Sequence, residues 1–173
     1  MSQQTKNNMK KIYLEKIVLN MGVGKSGEAV EVAKNALKQI SGKKPSSRNA
    51  KETYRDWGVR KGEPIAAAVT IRNDEAKALL KRLFEAKDNQ AKAKSFDDFG
   101  NYSFGMKEHI DIPGVKYDPQ IGILGLDIAV ILSRPGYNIR VRSKHKAKVG
   151  KSHIITKKEA QDFLTEEFGV QVI

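Results

Sequence analysis

The sequence of 173 residues predicts one two-layer α+β domain, with a mostly antiparallel or mixed sheet that helices cover on one face. Three observations predict this class. Segments with strand and helix periodicity follow the order β-α-β-α-β-β-α, the helical segments are short, and the strand segments partly alternate apolar with polar side chains. The length suits a single domain with a substantial core, and no internal repeat divides the chain.

The first half of the chain predicts two strands, two helices and a long loop. Residues 12–21 are rich in apolar and β-branched side chains and predict a strand that glycines end. Residues 28–40 carry apolar side chains every three or four positions and predict a helix that ends at Gly42. Residues 45–63 lack a clean period and predict a loop with one short strand. Residues 64–72 predict a strand, after which Asp74 is expected to cap a helix over 75–85.

The second half predicts two more strands and a last helix. Residues 101–110 predict one strand, and the almost wholly apolar residues 124–132 predict a central one. The basic residues that follow are expected to contain a hairpin. Thr156 and Glu159 form the T-x-x-E pattern of a capping box, which predicts the start of a helix. A short closing strand is expected at 170–173, and a disordered tail at 1–9.

The face of the sheet away from the helices is predicted to be polar and basic, as a sheet that faces RNA would be. The strand alternation predicts the following residues on that face: Lys16, Asn20, Thr70, Arg72, Ser103, Lys107 and His109.

One basic segment, residues 134–158, supplies most of the net charge. It holds nine Lys or Arg and no Asp or Glu, whereas the whole chain has a formal charge of +12. Such a density repels itself unless a polyanion neutralises it, and each neutralised phosphate releases counterions. Tyr137 and His145 lie within the segment and offer flat rings to bases. The segment therefore favours a nucleic-acid partner over a merely solvated loop.

Composition narrows the setting and the chemistry. The chain has no cysteine, which excludes disulfides and thiolate metal sites, and its polar N-terminus lacks a signal sequence. No apolar run is long enough to span a bilayer, and the basic residues do not lie on a strongly amphipathic helix. We therefore expect an intracellular, cytoplasmic protein that binds nucleic acid rather than a membrane surface.

Two motifs admit alternative interpretations. GVGKS, residues 22–26, lies between a strand and a helix like a phosphate-binding loop, but Leu19 occupies the position of that loop's first glycine. No set of His, Ser or carboxylate residues has catalytic or metal-binding spacing, so we expect no enzyme activity, no metal and no cofactor. Trp57, the one tryptophan, is either a buried anchor for its loop or a platform for stacking.

Five stretches resemble one known family: LEKIVLNMGVG (14–24), SGKKP (41–45), WGVRKGEPIAAAVTIR (57–72), SFDDFGNYSFGMKEH (95–109) and GLDIAVIL (125–132). Together, and in this order, they resemble the L-five family of large-subunit ribosomal proteins, which bind 5S ribosomal RNA. The basic segment after residue 132 is similar to the archaeal and eukaryotic branch of that family.

The resemblance implies a place in the central protuberance, with 5S rRNA, large-subunit rRNA, the small-subunit head and P-site tRNA as partners, beside neighbouring proteins. By motif, Asn20 and Thr70 match positions on the RNA-binding sheet face of the family, and residues 46–63 match its P-site loop.

These residues and the basic residues of the chain give two sets of candidates. The candidate rRNA-binding set is Lys16, Asn20, Lys43, Lys44, Thr70, Arg72, Lys107, Arg134, Arg140, Arg142, Lys144, Lys146, Lys148 and Lys151. The candidate tRNA-binding set is Arg48, Lys51, Arg55, Arg60 and Lys61. The competing hypotheses are a nucleotide-binding or RNA-acting enzyme and a free-standing RNA chaperone or DNA-binding protein.

Overall fold

The computed structural model describes residues 7–115 and 117–173. Within these residues the strands are β1 (Tyr13–Gly22), β2 (Ser46–Asn49), β3 (Pro64–Arg72), β4 (Gln90–Ala91), β5 (Tyr102–Met106), β6 (Leu126–Ser133) and β7 (Gln171–Val172). The helices are α1 (Glu28–Ser41), α2 (Asn73–Glu85), α3 (Asn138–Val141) and α4 (Lys157–Phe168). Short 3₁₀ turns occupy Asn8–Lys10, Arg55–Trp57, Ala93–Ser95, His109–Asp111 and Lys151–His153.

Five of the strands form one sheet in the order β2-β3-β1-β6-β5, and every neighbouring pair is antiparallel. β4 and β7 form a separate parallel pair that ties the C-terminus to the residues after α2. The sheet with its helices confirms the predicted two-layer α+β class. It also confirms the strands predicted at 12–21 and 64–72, and the short strand predicted inside 45–63.

The helical layer covers one face of the sheet because the strand alternation places apolar side chains there. Ile17, Leu19 and Met21 of β1 are almost fully buried, as are Val69 and Ile71 of β3. α1 packs mainly on β3, and α2 packs on both β1 and β3. A β-bulge between Leu14 and Lys16 shifts the alternation, so Leu14 also points into the core.

An aromatic cluster fills the core beneath β5 and β6. The ring of Tyr102 lies 5.2 Å from that of Phe104 and 4.6 Å from that of Phe96. Phe84, from the last turn of α2, lies 5.9 Å from Phe104 and links the cluster to the helical layer. Aromatic pairs at these separations add stability beyond the apolar area that they bury.

The C-terminus of α1 and the N-terminus of α4 follow the predicted local signals, whereas the start of α2 does not. Gly42 ends α1 with φ +67°, a conformation that glycine adopts without strain. Thr156 and Glu159 form the predicted capping box of α4, with both reciprocal hydrogen bonds present. The predicted cap of α2 is wrong, because the helix begins at Asn73 directly after β3 and Asp74 lies within its first turn. Asp74 still stabilises that end of the helix through its negative charge.

Two further predictions fail in the second half. The strand predicted over 101–110 ends at Met106, where the chain turns into the 3₁₀ turn His109–Asp111. The hairpin predicted within the basic segment is absent from the residues described there, which form α3, a 3₁₀ turn and irregular backbone instead. The predicted tail divides into the 3₁₀ turn at Asn8–Lys10 and residues 1–6, which lie outside the described residues.

Candidate nucleic-acid interface

The sheet face opposite the helices is open along the middle of the molecule. Asn20 of β1 is in register with Ala68 of β3 and Asp127 of β6. Along the next row, Val18 lies between Thr70 and Ala129. Thr70 and Asp127 are exposed, whereas Asn20 is half-buried between its neighbours. On this face, side chains that can form hydrogen bonds therefore alternate with small apolar side chains.

The open face is less basic than the sequence predicted. Lys16 and Arg72 sit side by side at one end, but both lie near the carboxylate of Glu15, at 3.5 and 3.8 Å. The exposed carboxylate of Asp127 lies beside Asn20. These two acids reduce the local positive potential, so hydrogen bonding rather than net charge dominates the centre of the face.

His109 was predicted on this face, and the structure overturns that prediction. The residue is 1% exposed because the chain leaves the sheet at Met106 and folds His109 back inside. Its backbone N–H donates to the carbonyl of Leu124, and the N–H of Leu124 donates to its Nδ1. His109 thus holds the loop before β6 in place. Ser103 and Lys107 are exposed as predicted.

Residues 46–63 form a hydrogen-bonded extension of the sheet edge, which we call the 46–63 segment. β2 pairs with β3, and beyond it Ala50 exchanges backbone hydrogen bonds with Gly62 and Glu63. At the tip, Tyr54 and Val59 form a two-way bridge, with N···O distances of 2.9 and 3.1 Å. Val59 is buried at 5% exposure. The 46–63 segment therefore projects from the sheet edge with an ordered backbone that its own hydrogen bonds hold in place.

The tip of the 46–63 segment presents an aromatic pair to solvent. Trp57 is 74% exposed and Tyr54 is 47% exposed, and their ring centroids lie 5.2 Å apart. Of the two interpretations of Trp57, the buried anchor is wrong. The five cations predicted to bind tRNA are all exposed on this projection: Arg48, Lys51, Arg55, Arg60 and Lys61.

The basic segment is fastened to the domain by two buried side chains that sequence reasoning assigned to RNA. Arg134 is 4% exposed, and its guanidinium donates to the carboxylate of Glu159 at 2.7 Å and to the carbonyl of His153 at 3.3 Å. Tyr137 is 8% exposed, and its hydroxyl accepts the N–H of Ile155 at 2.9 Å. The charge of Arg134 already has partners inside the fold, and the ring of Tyr137 is not free for stacking.

The carboxyl of Glu159 serves both the capping box and Arg134. Partial burial acts to raise its pKa, but hydrogen bonds from Thr156 and Arg134 outweigh burial and lower the pKa below its usual range. The carboxylate therefore stays charged through neutral pH, where it pairs with the guanidinium.

The contacts of Arg134 and Tyr137 form an anchor at the base of a cationic loop, which lies between Tyr137 and His153. This loop carries the exposed charge of the basic segment. Between Tyr137 and His153, the chain presents six exposed cations: Arg140, Arg142, Lys144, Lys146, Lys148 and Lys151. Arg142 is partly held, because it donates to the backbone carbonyl of His145. His145 is exposed as well, with φ +50°. A dense cationic loop on a rigid base is suited to contact a phosphate backbone.

Two further candidates lie beside α1. Lys44 is exposed, whereas Lys43 is half-buried and forms an ion pair with Glu75 of α2. Lys44 is thus the more accessible of the two for a phosphate contact.

The GVGKS motif does not form a phosphate-binding loop. The N–H groups of Val23 and Gly24 both donate to the carbonyl of Ile65, at 3.0 and 3.1 Å, so they point into the sheet. The first turn of α1 carries Glu28 and Glu31, whose charges oppose an anion at the helix N-terminus. Among residues 7–115 and 117–173, no group of three His or carboxylate residues is arranged to hold a metal ion. No helix in these ranges is long and apolar enough to cross a membrane.

The fold and these surfaces define a basic α+β protein that has an open, polar sheet face and two cationic projections. Two family models match the chain. The model described as "Ribosomal protein L5" matches residues 7–60, and the model that describes the C-terminus of the same ribosomal family matches residues 64–171. The chain belongs to the ribosomal L5 family.

Curated archaeal relatives are similar over nearly their whole length. The protein named "Large ribosomal subunit protein uL5" from Nitrosopumilus maritimus is 73% identical over 172 residues, which is 99% of each chain. The proteins of that name from Cenarchaeum symbiosum and Pyrobaculum aerophilum are 70% and 51% identical. These alignments cover 96% and 95% of this chain, and 98% and 92% of the relatives.

Proposed function

We propose that this chain is a structural constituent of the large ribosomal subunit that binds 5S rRNA and large-subunit rRNA in the central protuberance. Family membership and the relatives' shared name support the ribosomal role. The protein is not an enzyme, and as a ribosomal protein it works in the cytoplasm. In this proposal the 46–63 segment contacts P-site tRNA. The protein also contacts the small-subunit head and neighbouring proteins of the central protuberance.

The observation that carries the RNA-binding proposal is the placement of charge. Six exposed cations between residues 140 and 151 stand on a rigid base without a single acidic residue among them. The open sheet face adds hydrogen-bonding groups, which can position RNA without supplying much charge. Phosphate contacts from the loop would supply affinity, and the sheet face would supply discrimination.

Lys16, Asn20, Thr70, Arg72 and Lys107 remain candidates for rRNA contacts, since each is exposed or half-exposed. Lys44 and the six loop cations complete the accessible set, whereas the buried Arg134 supports the loop from below. Lys43 would have to leave Glu75 before it could reach RNA.

The experiment that tests the proposal is binding of the purified chain to 5S rRNA over a range of salt concentrations. If about six phosphates are neutralised, the affinity should fall by roughly a thousandfold between 50 and 200 mM salt. At each salt concentration, 5S rRNA should bind more tightly than unrelated structured RNA of the same length. Equal affinity for both RNAs would remove the specific claim and favour a general RNA chaperone.

Two substitutions on the open face sharpen this test. Asn20→Ala and Thr70→Ala should each weaken 5S binding, because each removes hydrogen bonds worth about 1 kcal/mol, or roughly fivefold in affinity. The matched controls are Asn35→Ala on α1 and Thr165→Ala on α4, which are exposed away from this face. Thermal unfolding should be nearly unchanged in all four variants. A large loss of stability in Asn20→Ala or Thr70→Ala would contradict the open-face assignment.

A further inference from the structure

A cavity of about 580 Å³ opens beneath the cationic loop. Its apolar wall is formed by Leu132, Tyr137, Val149 and Ile154. Phe99, a large aromatic side chain that is 56% exposed, stands at its edge. Four cations surround the opening: Arg140, Lys146, Lys148 and Lys151. Apolar walls with a cationic rim are not explained by core packing, since the cavity is open to solvent.

The wall of this cavity around Phe99 and Tyr137 is held by contacts within the fold. Asp97 accepts the backbone N–H groups of Phe99 and Asn101, at 3.0 and 2.6 Å, and so holds the turn that carries Phe99. Within that turn, a Cβ at Gly100 would lie 2.5 Å from a side-chain atom of Ile155, so the close approach requires glycine. The backbone N–H of Ile155 in turn donates a hydrogen bond to the hydroxyl of Tyr137. A preorganised cavity loses little entropy on binding.

We infer that this cavity receives one unstacked nucleotide of ribosomal RNA, with its base against Phe99 and the apolar wall and its phosphate at the lysine rim. The inference rests on the proposed function and adds a specific site to it. Proteins that recognise single-stranded RNA hold splayed bases on aromatic rings and arginine planes. Arg140 provides such a plane, because its guanidinium lies 5.6 Å from the ring centroid of Tyr137 and is exposed.

The chemistry of the lining favours a nucleotide over an acidic peptide. The lining contains four cations and no carboxylate, which matches a phosphate beside an apolar ring. Two uncharged polar side chains line it, and the hydroxyl of Tyr137 is already hydrogen-bonded to the backbone of His153 and Ile155. The other is Asn101, whose Nδ2 donates to Asp97, so its amide oxygen can accept from a base. A peptide backbone in the cavity would find few partners for its N–H and C=O groups, which is costly when they are buried. A duplex cannot enter, so the nucleotide must be bulged or in a loop.

The first test is ultraviolet crosslinking of large ribosomal subunits that contain the protein, followed by mass spectrometry of its peptides. Direct crosslinks form where a base lies against an accessible side chain, so we expect nucleotide adducts on the peptide that contains the exposed Phe99. Adducts confined to the 46–63 segment and the sheet face would overturn the inference and leave the proposed function standing. A chemical crosslink from Lys146 or Lys148 to an acidic protein segment, without nucleotide adducts, would identify a peptide occupant and overturn it too.

The second test compares three variants for binding to 5S rRNA and to large-subunit rRNA. Phe99→Leu removes the ring and should weaken binding to one of these RNAs by about tenfold, as expected for one lost stacking contact. Phe99→Tyr keeps the ring and should bind like the wild type. Tyr117→Leu, at a residue 59% exposed and outside the cavity, is the matched control and should also bind like the wild type.

Thermal unfolding of Phe99→Leu should match the wild type, because the side chain is more than half exposed. Wild-type affinity of Phe99→Leu for both RNAs would overturn the inference. If the wild type itself binds neither RNA specifically, the proposed function fails first, so the two failures are distinguishable.

Discussion

The phenol of Tyr102 is a buried titratable group whose ionisation is coupled to folding. The residue is 1% exposed within the aromatic cluster. Burial raises its pKa to about 12, against a weaker opposing contact from the backbone of Lys92. The folded state therefore resists formation of the phenolate, while the unfolded chain ionises near the ordinary value of about 10.

This difference predicts alkaline destabilisation. Because the folded pKa is raised, the stabilisation is fully present below pH 10 and is lost as pH rises towards 12, by roughly 2–3 kcal/mol. Tyr102→Phe should remove this loss, so its free energy of unfolding should fall less between pH 8 and pH 11.5. Urea unfolding at the two pH values measures the effect, with Tyr13→Phe at a 41% exposed position as the control. Equal losses in Tyr102→Phe and the wild type would contradict the assignment.

At the residue scale, the sequence predicts roles that depend on close neighbours and misses those that depend on distant ones. Gly42 and the pair Thr156–Glu159 act within one helical turn, so local rules identify them. Arg134 contacts Glu159 across 25 positions, and a run of nine cations gives no signal that one of them is buried. His109 was misplaced because alternation was continued beyond the end of β5.

At the scale of elements, the anchor beneath the cationic loop determines whether the loop keeps its shape. Arg134 and Tyr137, just after β6, both bond to residues 153–155, just before α4. These contacts bring the two ends of the loop together, so they replace the hairpin that the sequence suggested. A hairpin needs two pairing strands, and the dense like charges of this loop oppose such pairing.

Arg134→Met should therefore loosen the whole loop. The substitution leaves Glu159 and the carbonyl of His153 without the buried guanidinium, and we expect a loss of about 2–4 kcal/mol in the free energy of unfolding. Hydrogen exchange should accelerate at residues 150–156 more than in β1. Arg140→Met, which removes an exposed cation, is the matched control and should change stability by less than about 0.5 kcal/mol. Similar exchange in both variants would contradict the anchoring role.

At the scale of the whole molecule, the sheet separates the two cationic projections. The 46–63 segment extends from the edge strand β2, whereas the cationic loop follows β6, and β3 and β1 lie between them. Three strand spacings of about 4.8 Å put the two projections on different sides of the open face. They also leave opposite ends of the sheet, because Ser133 pairs with Tyr13 at one end of β1, whereas Ala66, the partner of Arg48, pairs with Gly22 at the other. This arrangement is compatible with separate partners for the two projections.

The sequence predicts the layers of this fold but not the order of its strands. The apolar face of each strand follows from alternation in β1 and β3, and that of each helix follows from the periodicity in α1 and α2. Knowing these faces is enough to predict two layers. The order β2-β3-β1-β6-β5 depends on pairings between segments that lie far apart in the chain, which periodicity does not encode. The cavity beside Phe99 was missed for the same reason, since its walls come from three separate segments.

The central claim is that the cationic loop secures the protein to rRNA, while the 46–63 segment serves tRNA. Two charge-neutralised variants test it without disturbing the buried anchor. The first replaces the six loop cations with Gln: Arg140, Arg142, Lys144, Lys146, Lys148 and Lys151. The second replaces the five exposed cations of the 46–63 segment: Arg48, Lys51, Arg55, Arg60 and Lys61.

The decisive measurement is the affinity of both variants for 5S rRNA and large-subunit rRNA as a function of salt. The loop variant should bind rRNA far more weakly, and its log–log salt slope should fall by up to about five, because about 0.9 counterion is released per lost phosphate contact. The second variant should keep the wild-type affinity and slope for rRNA but retain less P-site tRNA in reconstituted subunits. If the second variant instead loses rRNA binding while tRNA retention is unchanged, the account is wrong.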